Sequence, residues 1–224
     1  MKNLFIAICV LVASQLTAQE TEIKITDNFS EIKIYNKIQA QLIPSSENKI
    51  VATGFDKDDI DASVKNGVLK VKLGLDNIWS ETDTQIKIYF SSVETIDGNE
   101  GSYVEIQDGI EQTTLTLKTQ EGAEIIAPRL KVENLQIKSV TGGYIQTSGT
   151  ATTQIVEIKT GGNYNGEDLE TKTTDVNVKA GGNADVNATE YCKAKVSAGG
   201  NINIYGDTEK VDKKVTLGGN IKLK

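Results

Sequence analysis

Five Gly-Gly pairs punctuate the second half of the chain, at 142–143, 161–162, 181–182, 199–200 and 218–219. Their second glycines stand 19, 20, 18 and 19 residues apart. Glu100-Gly101 and Glu121-Gly122 extend the series as degenerate copies, read at 21 residues before the next glycine. Twenty residues cannot bury a core alone, so a period of this length means stacked coils rather than tandem domains.

The residues between the pairs keep register. Three positions before each pair stand Ser139, Ile158, Val178, Val196 and Val215; five before stand Ile137, Val156, Val176, Ala194 and Lys213. Two before stand Val140, Lys159, Lys179, Ser197 and Thr216. The first two columns are mostly apolar and the third mostly polar. That is the period-two alternation of strands, with the first and last entries breaking it as edge coils do. Asn163, Asn183, Asn201 and Asn220 follow four of the pairs. One coil apart, they would stack about 4.8 Å from one another and hydrogen-bond along the ladder. Gly-Gly-Asn therefore reads as a corner of the coil rather than as a binding motif, since glycine and asparagine tolerate left-handed backbone angles.

Upstream of Gly101 the repeat is not visible, but alternation continues at Ile32-Lys33-Ile34, Val68 to Leu73 and Ile86-Lys87-Ile88. Lys65-Asn66-Gly67-Val68 reads as a hairpin turn. This region is expected to form the first coils or a sheet capping an open apolar end. The fold class is all-β, a right-handed parallel β-helix with coils of about 20 residues. Residues 19–224 form a single domain, with the repeat clearest from 101 to 224.

Residues 1–18 read as a secretory signal peptide. Lys2 precedes an apolar run from Leu4 to Val12, and Ala18 is a fitting residue before the cut. The run is shorter than the roughly 20 residues of a membrane span, and no later segment could span either. The mature chain is expected in the periplasm or at the cell surface. Only Cys192 survives cleavage, so no internal disulfide forms; its alternating strand predicts burial.

The formal charge of −7 disfavours nucleic acid as a partner. The chain has no histidine, which excludes the usual His-based nucleophilic triads and His-ligated metal sites. Asp56-Lys57-Asp58-Asp59-Ile60-Asp61 is the densest acidic cluster. It lacks the glycine and glutamate that an EF-hand needs at its sixth and twelfth positions, where Asp61 and Gly67 stand, and reads as a solvated loop. Arg129, the single arginine, is expected exposed at a turn. Tyr35, Tyr89, Tyr103, Tyr144, Tyr164, Tyr191 and Tyr205 offer stacking faces for sugars, with Tyr144 and Tyr164 expected to stack on each other near adjacent corners. No catalytic, cofactor or metal residue is identified, and no ligand-binding residue is marked.

Four features together resemble a known family. They are Phe29-Ser30-Glu31-Ile32-Lys33-Ile34, Val64 to Val71, the train of glycine corners from Gly101 to Gly219, and Ile204-Tyr205-Gly206 followed by Leu217-Gly218-Gly219-Asn220-Ile221. In this order they resemble the auto-transporter adhesin head domains, or head GIN domains (DUF2807), of exported bacterial proteins. The family often has Ser-Gly-Ala at corners where this chain has Gly-Gly-Asn, and a proline after the Tyr-Gly turn where Asp207-Thr208 stands. The resemblance implies a right-handed parallel β-helix and supplies no catalytic residues. The expected function is that of a non-catalytic envelope protein, adhesin-like or a scaffold, with envelope components or glycans as partners. A polysaccharide-active enzyme using two carboxylates within about 10 Å on one face, and a self-associating polymer, are the alternatives.

Overall fold

Alternating Val, Ile and Thr with glycine corners produce strands and almost nothing else. A computed structural model describes residues 20–74 and 84–224; the expected leader lies outside them. The strands are β1 Thr21–Lys24, β2 Glu31–Ile34, β3 Gln39–Pro44, β4 Lys49–Thr53, β5 Ile60–Lys65, β6 Val68–Leu73, β7 Gln85–Phe90, β8 Thr95–Gly98, β9 Tyr103–Ile106 and β10 Glu111–Thr119. They continue as β11 Glu124–Val140, β12 Tyr144–Lys159, β13 Asn163–Lys179, β14 Asn183–Ser197, β15 Asn201–Tyr205, β16 Lys210–Thr216 and β17 Asn220–Leu223. From β8 onward every pairing is parallel and one coil apart, which is a β-solenoid.

The interior consists of side chains stacked in columns. Leu69, Ile32, Ile96, Leu117, Ile137, Val156, Val176 and Ala194 lie in one continuous register and are all buried. Each large aliphatic member contributes about 1.5–3 kcal/mol of burial. Lys213 ends that column on the last coil, as the sequence register predicts. Ser139 is not an edge residue. Thr119 and Gly98 precede it in its column, and its buried hydroxyl accepts from Thr119 Oγ1 at 3.0 Å and donates to the Gly143 carbonyl at 2.7 Å.

The two glycines of a pair do different work. At the corner after β11, Thr141 (φ 49°) and Gly142 (φ 75°) both hold left-handed angles, and Gly143 N donates to Val140 O at 3.0 Å. This is a type I′ turn. Glu100-Gly101 and Glu121-Gly122 adopt the same angles. Because Glu124 pairs with Tyr144, Gly122 lies beside Gly142, not Gly143, so the degenerate copies match the first glycine of a pair. The second glycine clears the preceding coil: a Cβ on Gly162 would strike the Ser139 carbonyl, and one on Gly143 would sit 2.6 Å from Thr119 Oγ1.

The N-terminal coils are threaded out of order. β2 pairs with both β6 and β8, and β3 with both β7 and β9. The β2–β3 coil is therefore clamped between a later coil, β6–β7, and the body. Beyond β6–β7 lie the antiparallel strands β1, β4 and β5, with the Asn66-Gly67 hairpin joining β5 to β6. The segment thus supplies both a coil and a cap. At the opposite end, β16 and β17 pair on one side only.

Candidate binding surface

Function has to reside in outward columns, since inward ones are consumed by packing. The amide ladder forms through Asn163, Asn183 and Asn201, while Asn220 continues it in backbone register alone. Asn183 Nδ2 donates to Asn163 Oδ1, and Asn201 Nδ2 to Asn183 Oδ1, each at 2.8 Å. These side chains spend their hydrogen bonds on each other, which makes the column a structural spine.

The tyrosines do not assemble. Tyr144 pairs with Asn163, and Tyr164 with Ile145, so the two rings point to opposite sides of the wall. Tyr164 is buried, its hydroxyl 2.7 Å from Thr147 Oγ1 and accepting from Gln154 Nε2 at 2.5 Å. It cannot stack on Tyr144 or meet a ligand. Burial pushes its phenol far above the ordinary range. Tyr191 donates to Asp212 at 2.7 Å and lies under Lys210, while Tyr89 lies under Lys49. Cys192 is buried, and burial pushes its thiol up to about 12. Arg129 stands exposed as expected, but at an irregularity inside β11 (φ 54°) rather than at a turn, with its guanidinium donating to the Gln107 carbonyl. In the acidic segment Asp56 is 5 % exposed rather than solvated, whereas Asp58 pairs with Lys57 at 3.0 Å. No cluster able to hold a metal occurs among the described residues.

Two carboxylates do approach one another. Glu31 Oε1 and Asp97 Oδ2 each lie 3.2 Å from Lys33 Nζ, so their separation is at most twice that distance. Asp97 is 7 % exposed, and burial raises its carboxyl against the opposing pull of Lys33. Asn99 Nδ2 donates to it at 3.3 Å. The lysine fills the space between the carboxylates where a scissile bond or water would have to lie. This cluster belongs to the wall and lies outside the residues that line the trough across β10–β13.

A concavity across the parallel coils lies elsewhere. A trough of about 500 Å³ crosses β10, β11, β12 and β13. Glu111, Lys131, Thr150 and Glu170 form one rim in continuous register. Thr113, Glu133, Thr152 and Lys172 form the other, and Val132, Ala151 and Thr171 the floor. The floor is buried and the rims exposed. Glu111 and Lys131 pair at 2.7 Å with both side chains about 70 % exposed, and Lys172 reaches Glu190 at 3.3 Å. Such a trough presents hydroxyls, carboxylates and ammonium groups at the 4.8 Å spacing of stacked strands. Its residues lie 19 or 20 positions apart in the chain, and only the coil register brings them together.

Among the described residues no helix is long and apolar enough to cross a membrane. No curated protein matches the chain. Its fold is similar to the crystal structure of a putative adhesin from Bacteroides fragilis, with a TM-score of 0.84, 19 % identity, and coverage of 92 % of this chain and 96 % of that one. A putative adhesin from Parabacteroides distasonis is similar over the same shares, with a TM-score of 0.72 and 20 % identity. At such identities the likeness establishes the fold. The family described as putative auto-transporter adhesin, head GIN domain, matches residues 28–208, and the chain belongs to that family.

Proposed function

We propose that this protein is an exported, non-catalytic, adhesin-like solenoid that binds polysaccharide of the cell envelope or its surroundings along the β10–β13 trough. The observation that carries this reading is the trough itself. It is open, crosses successive coils, and is rimmed by exposed hydroxyls and ion pairs. A polyhydroxylated chain laid along the solenoid axis would meet a new donor or acceptor at every coil. The N-terminal leader pattern and the family support export. Non-catalysis is supported by the placing of Asp97: its raised carboxyl is locked to Lys33 outside the trough.

A panel of immobilised neutral and acidic glycans tests the reading. Retention on a subset, lost in a Thr150→Arg/Thr152→Arg variant that keeps its circular dichroism, is the expected result. Retention unchanged by that variant removes the trough from the proposal. Release of soluble sugar by the purified chain, abolished by Glu111→Gln, Glu133→Gln or Glu170→Gln on the trough rims, would establish an enzyme instead.

A further inference from the structure

The parallel coils carry a charge pattern that stacking does not explain. Where two ionisable side chains meet in register on adjacent coils, most are of opposite sign, as at Glu111–Lys131, Lys33–Asp97 and Asp175–Lys193. Four pairs instead set lysine against lysine: Lys33–Lys70, Lys118–Lys138, Lys159–Lys179 and Lys195–Lys214. All four lie on one sheet, whose inner side carries the buried column from Leu69 to Ala194. Among the described residues no parallel register sets carboxylate against carboxylate. Like charges placed directly opposite destabilise a sheet, so the fold gains nothing from these lysine pairs.

Lysine dominates the outer side of that sheet. Over the five successive strands β10–β14 its outward positions hold Lys118, Lys138, Lys159, Lys179, Lys193 and Lys195 against Glu157 and Asp175, in a chain of net charge −7. Both acids are occupied: Glu157 lies 3.1 Å from Lys159, and Asp175 2.7 Å from Lys193. Lys118 is 3.9 Å from Glu31. Among the described residues, Lys138, Lys179 and Lys195 have no ion-pair partner. Glu121 and Glu133 stand only at the edges, one at a corner and one on the trough rim. Beside the lysines runs an outward column of Thr114, Asn134, Thr153 and Thr173. Ile155 is the one large hydrophobic exposed across these strands among the described residues.

We propose that this face binds a linear acidic polysaccharide, its chain along the solenoid axis and its carboxylates between stacked lysines. The site is separate from the trough and does not rest on it. Charge complementarity selects a polyanion. An anion seated between Lys118 and Lys138, or between Lys159 and Lys179, replaces one repulsion with two attractions. A chain of uronic acids repeats its carboxylate at the length of one sugar ring, close to the coil spacing of about 4.8 Å, so successive carboxylates meet successive coils. The flanking hydroxyls and amides suit sugar hydroxyls. A bilayer surface needs an apolar stripe that the face lacks.

Retention of the chain on immobilised polygalacturonate tests this, with the fully methyl-esterified polymer as the same chain without its charge. The expected result is retention on the acidic polymer alone, abolished by high salt. Lys138→Gln/Lys179→Gln/Lys195→Gln should weaken it about tenfold. The same variant should keep or raise its thermal transition, because repulsion is relieved. Lys24→Gln/Lys65→Gln/Lys87→Gln removes equal charge elsewhere and should leave retention unchanged. Equal losses in the two variants, equal retention on both polymers, or retention on neither overturns the proposal. A lower thermal transition in the first variant also overturns it, by assigning the lysines to the fold. Stronger binding to phosphatidylglycerol vesicles than to polygalacturonate would assign the face to lipid instead. The loss caused by the first variant should persist in a Thr150→Arg/Thr152→Arg background, so the face and the trough fail separately.

Discussion

Tyr164 carries the largest polar burden in the interior. Its hydroxyl joins Thr147 and Gln154, Gln154 accepts from Thr174 at 3.2 Å, and Thr174 lies 2.8 Å from Thr171 in a chain of buried side chains. Removing the phenolic oxygen leaves Gln154 without an acceptor. Tyr164→Phe should therefore destabilise the protein by about 1–3 kcal/mol despite keeping the ring. A urea titration giving less than about 0.5 kcal/mol would mean that Gln154 finds another partner. Asp97 has the opposite sign. Its folded carboxyl is raised above the unfolded value by burial, so the folded state holds that proton more tightly. Its contribution is full below the unfolded value of 3.8 and is lost as pH rises through the folded value. Asp97→Asn should remove that part of the stability–pH slope on the acid side and leave the neutral-pH transition temperature equal or higher. A fall in that temperature would show that the Lys33 pair outweighs the desolvation.

Between corners, the chain reads well because each element obeys one local rule. Strands follow period-two alternation, the Asn66-Gly67 hairpin follows turn chemistry, and the Val and Ile columns follow the recurrence of both. Three features lie beyond such rules. Tyr164 sits one position later after its corner than Tyr144, and one residue reverses the face a side chain takes. The β2–β3 coil is held between β6–β7 and β8–β9 by pairings that no local pattern encodes. The trough assembles from residues a full coil apart. The Gly-Gly pairs looked uniform in sequence and are not. Gly142 is required by its backbone angle and has open space around it, whereas Gly162 is required by the Ser139 backbone beside it. Gly142→Asn should cost less than about 1 kcal/mol, because asparagine tolerates the left-handed region. Gly162→Ala should cost more, about 1–3 kcal/mol, because a coil has to shift to admit the methyl. Equal losses in the two variants would contradict this division of roles.

At the scale of the whole molecule, each coil touches only its neighbours, so stability is distributed along the axis rather than held in one centre. The two ends are finished differently. Antiparallel strands cover the first, and the buried columns continue beneath them through Leu69, Val71, Ile86 and Ile88. At the second, Ile221 and Val211 are only partly buried and β16 is exposed along most of its length. Opening β16 and β17 breaks one parallel interface, whereas opening β12 breaks two and uncovers the Tyr164 network. Amide hydrogen exchange should accordingly run in order along the axis. The amides of 210–224 should exchange first, those of β14 and β15 next, and those of β11 to β13 last. The N-terminal coil β2–β3 should be among the slow group although it comes early in the chain, because coils enclose it on both sides. Uniform exchange across all coils would mean that the solenoid opens as one unit.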